Sequence, residues 1–181
     1  KDGKEATSFL EDLPHGRFNN VIWKPVKNGL SFTGLLAKNE KEGFKYILTG
    51  QFNSWQKKLT DLKEQDFTAS PYWQSATDKF LKEIQTAGVH SEVNILNSFT
   101  NDDGSMAMVM QRKVITTTFR GNYSYTDIHT GSVYAMKMNA GGSLAWLQVI
   151  PCSQSESTYP IYSGAIAMQR KNKDVVVVLL D

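Results

Sequence analysis

Along most of the chain, apolar residues alternate with polar ones or gather in short runs bounded by Gly, Asn and Asp. That is the pattern of strands joined by tight turns. Val21, Ile22 and Trp23 form a first apolar segment, and Lys27, Asn28 and Gly29 turn the chain into residues 30–36. A second polar turn at 39–43 leads into 44–49. Between 54 and 66 the spacing of Leu59 and Leu62 fits a helix, whereas Trp55 and the charged run fit an edge strand; the strand is favoured.

Ser70 followed by Pro71 predicts a helix start, because a Ser oxygen caps free amides and Pro suits the first helical position. Trp73, Ala76, Phe80, Leu81 and Ile84 then share one face, with Asp78, Lys79, Lys82 and Glu83 on the other, and Gly88 supplies the stop. From 92 onward the residues are Val, Ile, Thr, Met and aromatics, broken by turns at 101–104, 139–142 and 171–174. Three hairpins follow: 93–99 with 105–112, 132–138 with 144–150, and 164–169 with 175–180. The predicted fold is mainly β, with antiparallel hairpin repeats forming a propeller-like or curved sheet assembly and one inserted amphipathic α-helix at about 70–87. Residues 1–17 read as a loose lead-in containing the Pro14-His15-Gly16 break, and 18–181 as a single β-rich domain.

Composition narrows the function. A chain of 181 residues with 40% hydrophobic and 21% charged residues fits one globular domain. The 20 basic and 18 acidic residues are dispersed, so the concentrated positive stripe that nucleic acid requires is missing. No apolar run exceeds the six residues Val175–Leu180, far short of the ~20 needed for a transmembrane helix. With Cys152 the sole cysteine, an intramolecular disulfide and a cysteine zinc cluster are excluded, and Cys152 has no assigned role. The start at Lys1 without Met leads us to expect a fragment of something longer.

Gly104-Ser105-Met106-Ala107-Met108-Val109 aligns with Gly142-Ser143-Leu144-Ala145-Trp146-Leu147 at an offset of 38 residues, the trace of a sheet-per-repeat architecture. Asn28 and Gly29 echo it more faintly. A propeller blade or a curved stack of hairpins explains the period. The stretch from Val133 to Trp146, with Lys137, the Asn139-Ala140-Gly141-Gly142 turn and the closing Trp, resembles the blade hairpin of uncharacterised exported β-propeller-like repeat proteins of the Bacteroidetes type. Trp146, Ile150, Pro151 and the Tyr162-Ser163 pair extend that resemblance. It implies an extracytoplasmic β protein (periplasmic, surface or secreted) and carries no catalytic residues with it.

Met106, Met108 and Met110 project from one face of a strand, and Met136 and Met138 from one face of another. Thioethers suit Cu(I), but methionine also fills gaps between sheets, and packing is the favoured reading; no metal or cofactor is expected. His15, His90 and His129 lack the spacing of a helical zinc site. Tyr123, Tyr125, Asp127 and His129 alternate just before a strand and could line one concave surface, which is equipment for a sugar or small ligand; covering of a sheet edge is the plainer reading. There is no GxSxG elbow, and Asp102 and Asp103 fall in a turn that favours acidic residues without any catalysis. The expected function is a noncatalytic binding or interaction module whose partner is a carbohydrate or another protein. The alternatives are a glycan-active or other hydrolytic enzyme built on Asp127 and His129, or structural blades of a larger protein.

Overall fold

Two antiparallel meanders, a short helix and a final hairpin make up the molecule, which a computed structural model describes at residues 16–39, 41–68, 73–74, 77–90, 92–157 and 164–180. The first meander pairs β1 (Arg17–Val26), β2 (Gly29–Ala37), β3 (Tyr46–Asn53) and β4 (Lys58–Asp66) in sequence order. The ambiguous 54–66 segment is thus a strand for most of its length. At its entry the Asn53 side chain accepts the Trp55 and Gln56 amides, and Lys57 turns through a positive φ of 52°.

The second sheet begins with β5 (Trp73–Gln74), which lies parallel to β9 (Leu144–Ile150). The rest is a meander of β6 (Val93–Thr100), β7 (Met106–Arg120), β8 (Tyr123–Met138) and β9, with β10 (Gln154–Ser157) added to β8. A separate hairpin joins β11 (Gly164–Gln169) to β12 (Val175–Leu180). All three expected hairpins are present. A fourth was not expected: β7 and β8 run on past residues 112 and 132 to meet at Gly121-Asn122.

The helix is shorter than expected. α1 spans Asp78–Ala87, not 70–87, because Thr77 is the residue that caps it, accepting the Phe80 amide at 3.3 Å. Trp73, predicted on the helical stripe, lies in β5 instead, its indole N–H donating to the Phe67 carbonyl at 3.0 Å. Ser70, Pro71 and Ala76 lie outside the described residues, as do residues 1–15 of the lead-in. Phe80 and Ile84 do face the core as the periodicity requires, and Gly88 ends the helix at φ 77°, its amide bonded to Ile84.

The β6–β9 sheet is covered on both faces. On one, Met106, Met108, Met110, Met136 and Leu147 pack against Leu35, Phe44 and Ile47 of the first meander and Ile84 of α1. On the other, Val109, Val133 and Ala135 pack against Ala167, Val175 and Val177 of the last hairpin. This sandwiching explains why six successive residues of β7, from Met106 to Gln111, are buried without alternation. Among the described residues no sheet closes into a barrel and no ring of blades forms. The architecture is mainly antiparallel β with one short helix.

The 38-residue repeat corresponds to a repeated turn. Gly104 and Gly142 donate to the Asn101 and Asn139 carbonyls at 2.9 and 2.8 Å, and both adopt positive φ, 79° and 87°. The third hairpin uses the same turn, Lys173 donating to Arg170 at 2.9 Å, but here a lysine takes the left-handed position at φ 69°. Asn28-Gly29 belongs to a different, two-residue connection between Val26 and Gly29.

Candidate functional site

Among the described residues a groove of about 540 Å³ lies between α1 and the β7–β8 ladder, lined by Arg17, Phe80, Arg112, Gly131, Tyr134 and Cys152 among others. A second hollow of about 330 Å³ shares Arg112, Gly131 and Ser153 with it and extends the depression to His129. Together they reach the size of a small-molecule site.

Arg112 sits at the junction because the ladder is irregular there. Gln111 pairs with Val133 and Lys113 with Thr130, leaving Arg112 opposite two residues, Gly131 and Ser132. The extra residue is on β8, so the bulge bends that strand and sets Arg112, on the partner strand, against the Gly131–Ser132 pair. Gly131 leaves room for the arginine stem: a Cβ there would lie 3.2 Å from the Arg112 Cβ. The guanidinium Nε and Nη2 then donate to one Glu92 oxygen at 3.3 and 3.2 Å, and the His90 Nδ1 lies 3.1 Å from the same oxygen.

The groove floor is aromatic. Phe80 and Tyr134 stack with centroids 6.2 Å apart, and Trp73 meets both edge-on. Burial holds the Tyr134 phenol above the ordinary tyrosine range, with Arg112 opposing the rise and Glu83 adding to it. The hydroxyl therefore keeps its proton and remains a donor. At the far wall Arg17 donates through Nη2 to the Glu42 carbonyl at 3.0 Å and lies 5.1 Å over the Phe44 ring, while its Nε is buried without a partner among the described residues. Two guanidinium groups thus flank an aromatic floor with one phenolic donor.

The residues predicted from alternation are brought onto one face, but elsewhere. Tyr123, Tyr125, Asp127 and His129 lie within β8, not ahead of it, opposite Arg120, Thr118, Thr116 and Val114. Tyr123 and Tyr125 lie exposed on the outer, two-stranded part of the ribbon, whereas Asp127 and His129 lie where β10 pairs with β8. His129 alone reaches the hollow beside Arg112. Its Nδ1 is 2.6 Å from the Ser155 Oγ on β10.

Met106, Met108, Met110, Met136 and Met138 are all buried in the core, whereas the sixth methionine, Met168, is exposed. Met106 faces Met138 and Met108 faces Met136 across the ladder, and the Thr33 hydroxyl donates to the Met106 sulfur at 3.3 Å. No cluster of three or more His, Cys, Asp or Glu side chains suited to a metal occurs among the described residues. Asp103 serves its turn, accepting the Ser105 hydroxyl at 2.6 Å and its amide at 2.9 Å. Cys152 lines the groove as a half-buried thiol. No helix among the described residues is long and apolar enough to cross a membrane.

Sequence reasoning missed Arg17, Phe80, Arg112 and Tyr134 as a group. One signal was present: Gly131 inside a run of strand formers marks a bulge, and a bulge bends its strand against the residue it faces. The chain matches no protein-family model, no curated protein and no solved structure.

Proposed function

We propose that the protein is a noncatalytic, extracytoplasmic binding module that takes a small polar ligand, in the first instance an oligosaccharide, in the groove beside Arg112. The observation that supports this reading is the stacked Phe80–Tyr134 floor with a protonated phenol between two arginines. Aromatic faces pack against sugar rings, and phenol and guanidinium donors satisfy their oxygens. The exported, propeller-like affiliation rests on the Val133 to Trp146 resemblance, and a partial set of blades within a larger assembly belongs to the same proposal.

A thermal-shift screen against oligosaccharides tests it. A ligand at 100 times its dissociation constant stabilises the fold by about 2.7 kcal/mol. The expected result is a shift that Arg112→Ala or Phe80→Ala abolishes. A shift that survives both variants overturns the assignment of the groove.

A second reading, hydrolysis, is favoured by the 2.6 Å contact between His129 and Ser155. It expects turnover of an ester, the Ser155 hydroxyl attacking the acyl carbon as His129 takes its proton, that Ser155→Ala eliminates; turnover unchanged in that variant removes it.

A further inference from the structure

We propose that the outer edge of β7 from Val114 to Phe119 docks on the same edge of a second copy of the chain, about a two-fold axis through Thr117. β6 accompanies β7 only as far as Arg112, and β10 accompanies β8 only over Asp127–Thr130. Beyond those points β7 and β8 form a two-stranded ribbon, with no strand beside β7 among the described residues. Isolated ribbons of two strands are marginal in water, and a third and fourth strand remedy that.

The edge carries none of the usual protection. Val114-Ile115-Thr116-Thr117-Thr118-Phe119 is all strand-forming, with no charge, Pro or Gly. Cations occur only at its ends, Lys113 and Arg120. Ile115 is 60% and Phe119 76% exposed.

Hydrogen-bond direction limits the registers to those that pair odd-numbered residues with odd-numbered ones, and charge and apolar pairing choose among them. Gly121, at φ 60°, opens a two-residue turn closed by Arg120 and Tyr123. Such a turn is closed by a bonded pair, and bonded pairs alternate along the ladder. Arg120, Thr118 and Thr116 therefore bond inward to β8, while Phe119, Thr117 and Ile115 turn their amides and carbonyls outward.

A two-fold at Thr117 pairs outward groups with outward groups. It sets Ile115 against Phe119 of the second copy, on one face, in both halves of the contact. Lys113 falls opposite Gly121 and Arg120 opposite Val114, so no like charges meet. Moving the axis to Thr116 puts Arg120 opposite Arg112, and moving it to Thr118 puts Ile115 opposite Gly121. All three registers match outward hydrogen-bonding groups, and of the three only Thr117 also pairs Ile115 with Phe119 and keeps like charges apart. The product is a continuous four-stranded sheet with an isologous interface.

Sedimentation velocity of the full chain, from micromolar to millimolar, tests this. The expected result is a reversible dimer that Thr117→Lys weakens by roughly tenfold or more, since it places two cations on the axis. Its circular dichroism should stay unchanged and its dilute thermal midpoint should move little, because Thr117 is exposed and its side chain makes only a 3.4 Å hydroxyl contact with Thr126. Ile115→Lys and Phe119→Glu provide an independent check: each should weaken association alone, and an equimolar mixture should restore it through Lys–Glu pairing across the axis. A chain that is monomeric throughout the range overturns the proposal, as does a dimer indifferent to Thr117→Lys or a mixture no tighter than its components. Capture of an unlike strand by a monomeric chain also counts against it.

Discussion

β7 and β8 pass through two environments, and the change falls at the Arg112 bulge. Below it, Met106 to Gln111 and Val133 to Met138 lie between two covering layers and are almost wholly buried. Above it the same two strands continue with their register shifted by one residue, and past β10 they form a ribbon exposed from Ile115 to Tyr125. Backbone hydrogen bonding continues through both halves, so the ladder is not what distinguishes them. What differs is apolar area removed from water, and that term dominates folding. The lower half should therefore hold the fold, leaving the upper half free for a partner.

The strongest way to break this comparison is to truncate one side chain in each half. Met108→Ala, at a site with no exposure, should cost about 2–5 kcal/mol in urea unfolding. Ile115→Ala in the ribbon should stay within about 0.5 kcal/mol in dilute solution. Equal losses would mean that the ribbon is as much a part of the core as its base.

The bulge itself is the next target. Gly131→Val forces a side chain into the Arg112 stem, whose Cβ would lie only 3.2 Å from the new Cβ. We expect a loss of about 1–3 kcal/mol, together with displacement of Arg112 from Glu92 and weaker ligand binding in the groove. Intact binding with unchanged stability would show that the bulge does not set the arginine.

Much of this was legible in advance. The three expected hairpins were marked by Asn or Lys at the turn and by uninterrupted Val, Ile and Met beside it. The fourth was also written in the chain, since Gly121-Asn122 between Thr- and Tyr-rich segments is a two-residue hairpin signal. The alternation of Tyr123 to His129 belongs to one strand of that hairpin, and alternation alone does not tell a paired strand from a surface that precedes one. The helix start was displaced because Ser70-Pro71 and Thr77 are both good caps and local chemistry does not rank them. Trp73 is held in a strand by pairing with Leu147, 74 residues away, which no local pattern encodes. The groove was invisible for the same reason: Arg17, Phe80, Arg112 and Tyr134 come from β1, α1, β7 and β8, and only the fold assembles them.

Smaller effects sharpen the account at the repeated turn. Lys173 bears the left-handed conformation that Gly104 and Gly142 adopt without a Cβ, so Lys173→Gly should stabilise by about 1 kcal/mol, read from the thermal midpoint. Gly141 occupies the position where Asp103 caps the first turn, has no positive φ, and meets nothing within 4 Å of a built Cβ. Gly141→Asp should add about 0.5 kcal/mol.

The smallest effect is electrostatic. The Ser105 hydroxyl, followed by its amide, holds the Asp103 carboxyl below its usual 3.8, with Lys173 and Lys137 assisting. A lowered folded pKa stabilises above the unfolded value and is lost as pH falls through the folded one. Carboxyl NMR should therefore place Asp103 below 3.8 and show Ser105→Ala moving it upward.

Amide hydrogen exchange along β7 and β8, followed at rising protein concentration, tests the central claim most directly. In dilute solution, Met106 to Gln111 and Val133 to Met138 should exchange only through global unfolding, while the outward amides of Ile115, Thr117 and Phe119 exchange fast. As concentration rises, those three should gain protection and the lower half should not change. Uniform protection along both strands in dilute solution, or open amides at Thr117 at every concentration, would contradict the division of the ribbon into a base that folds and an edge that docks.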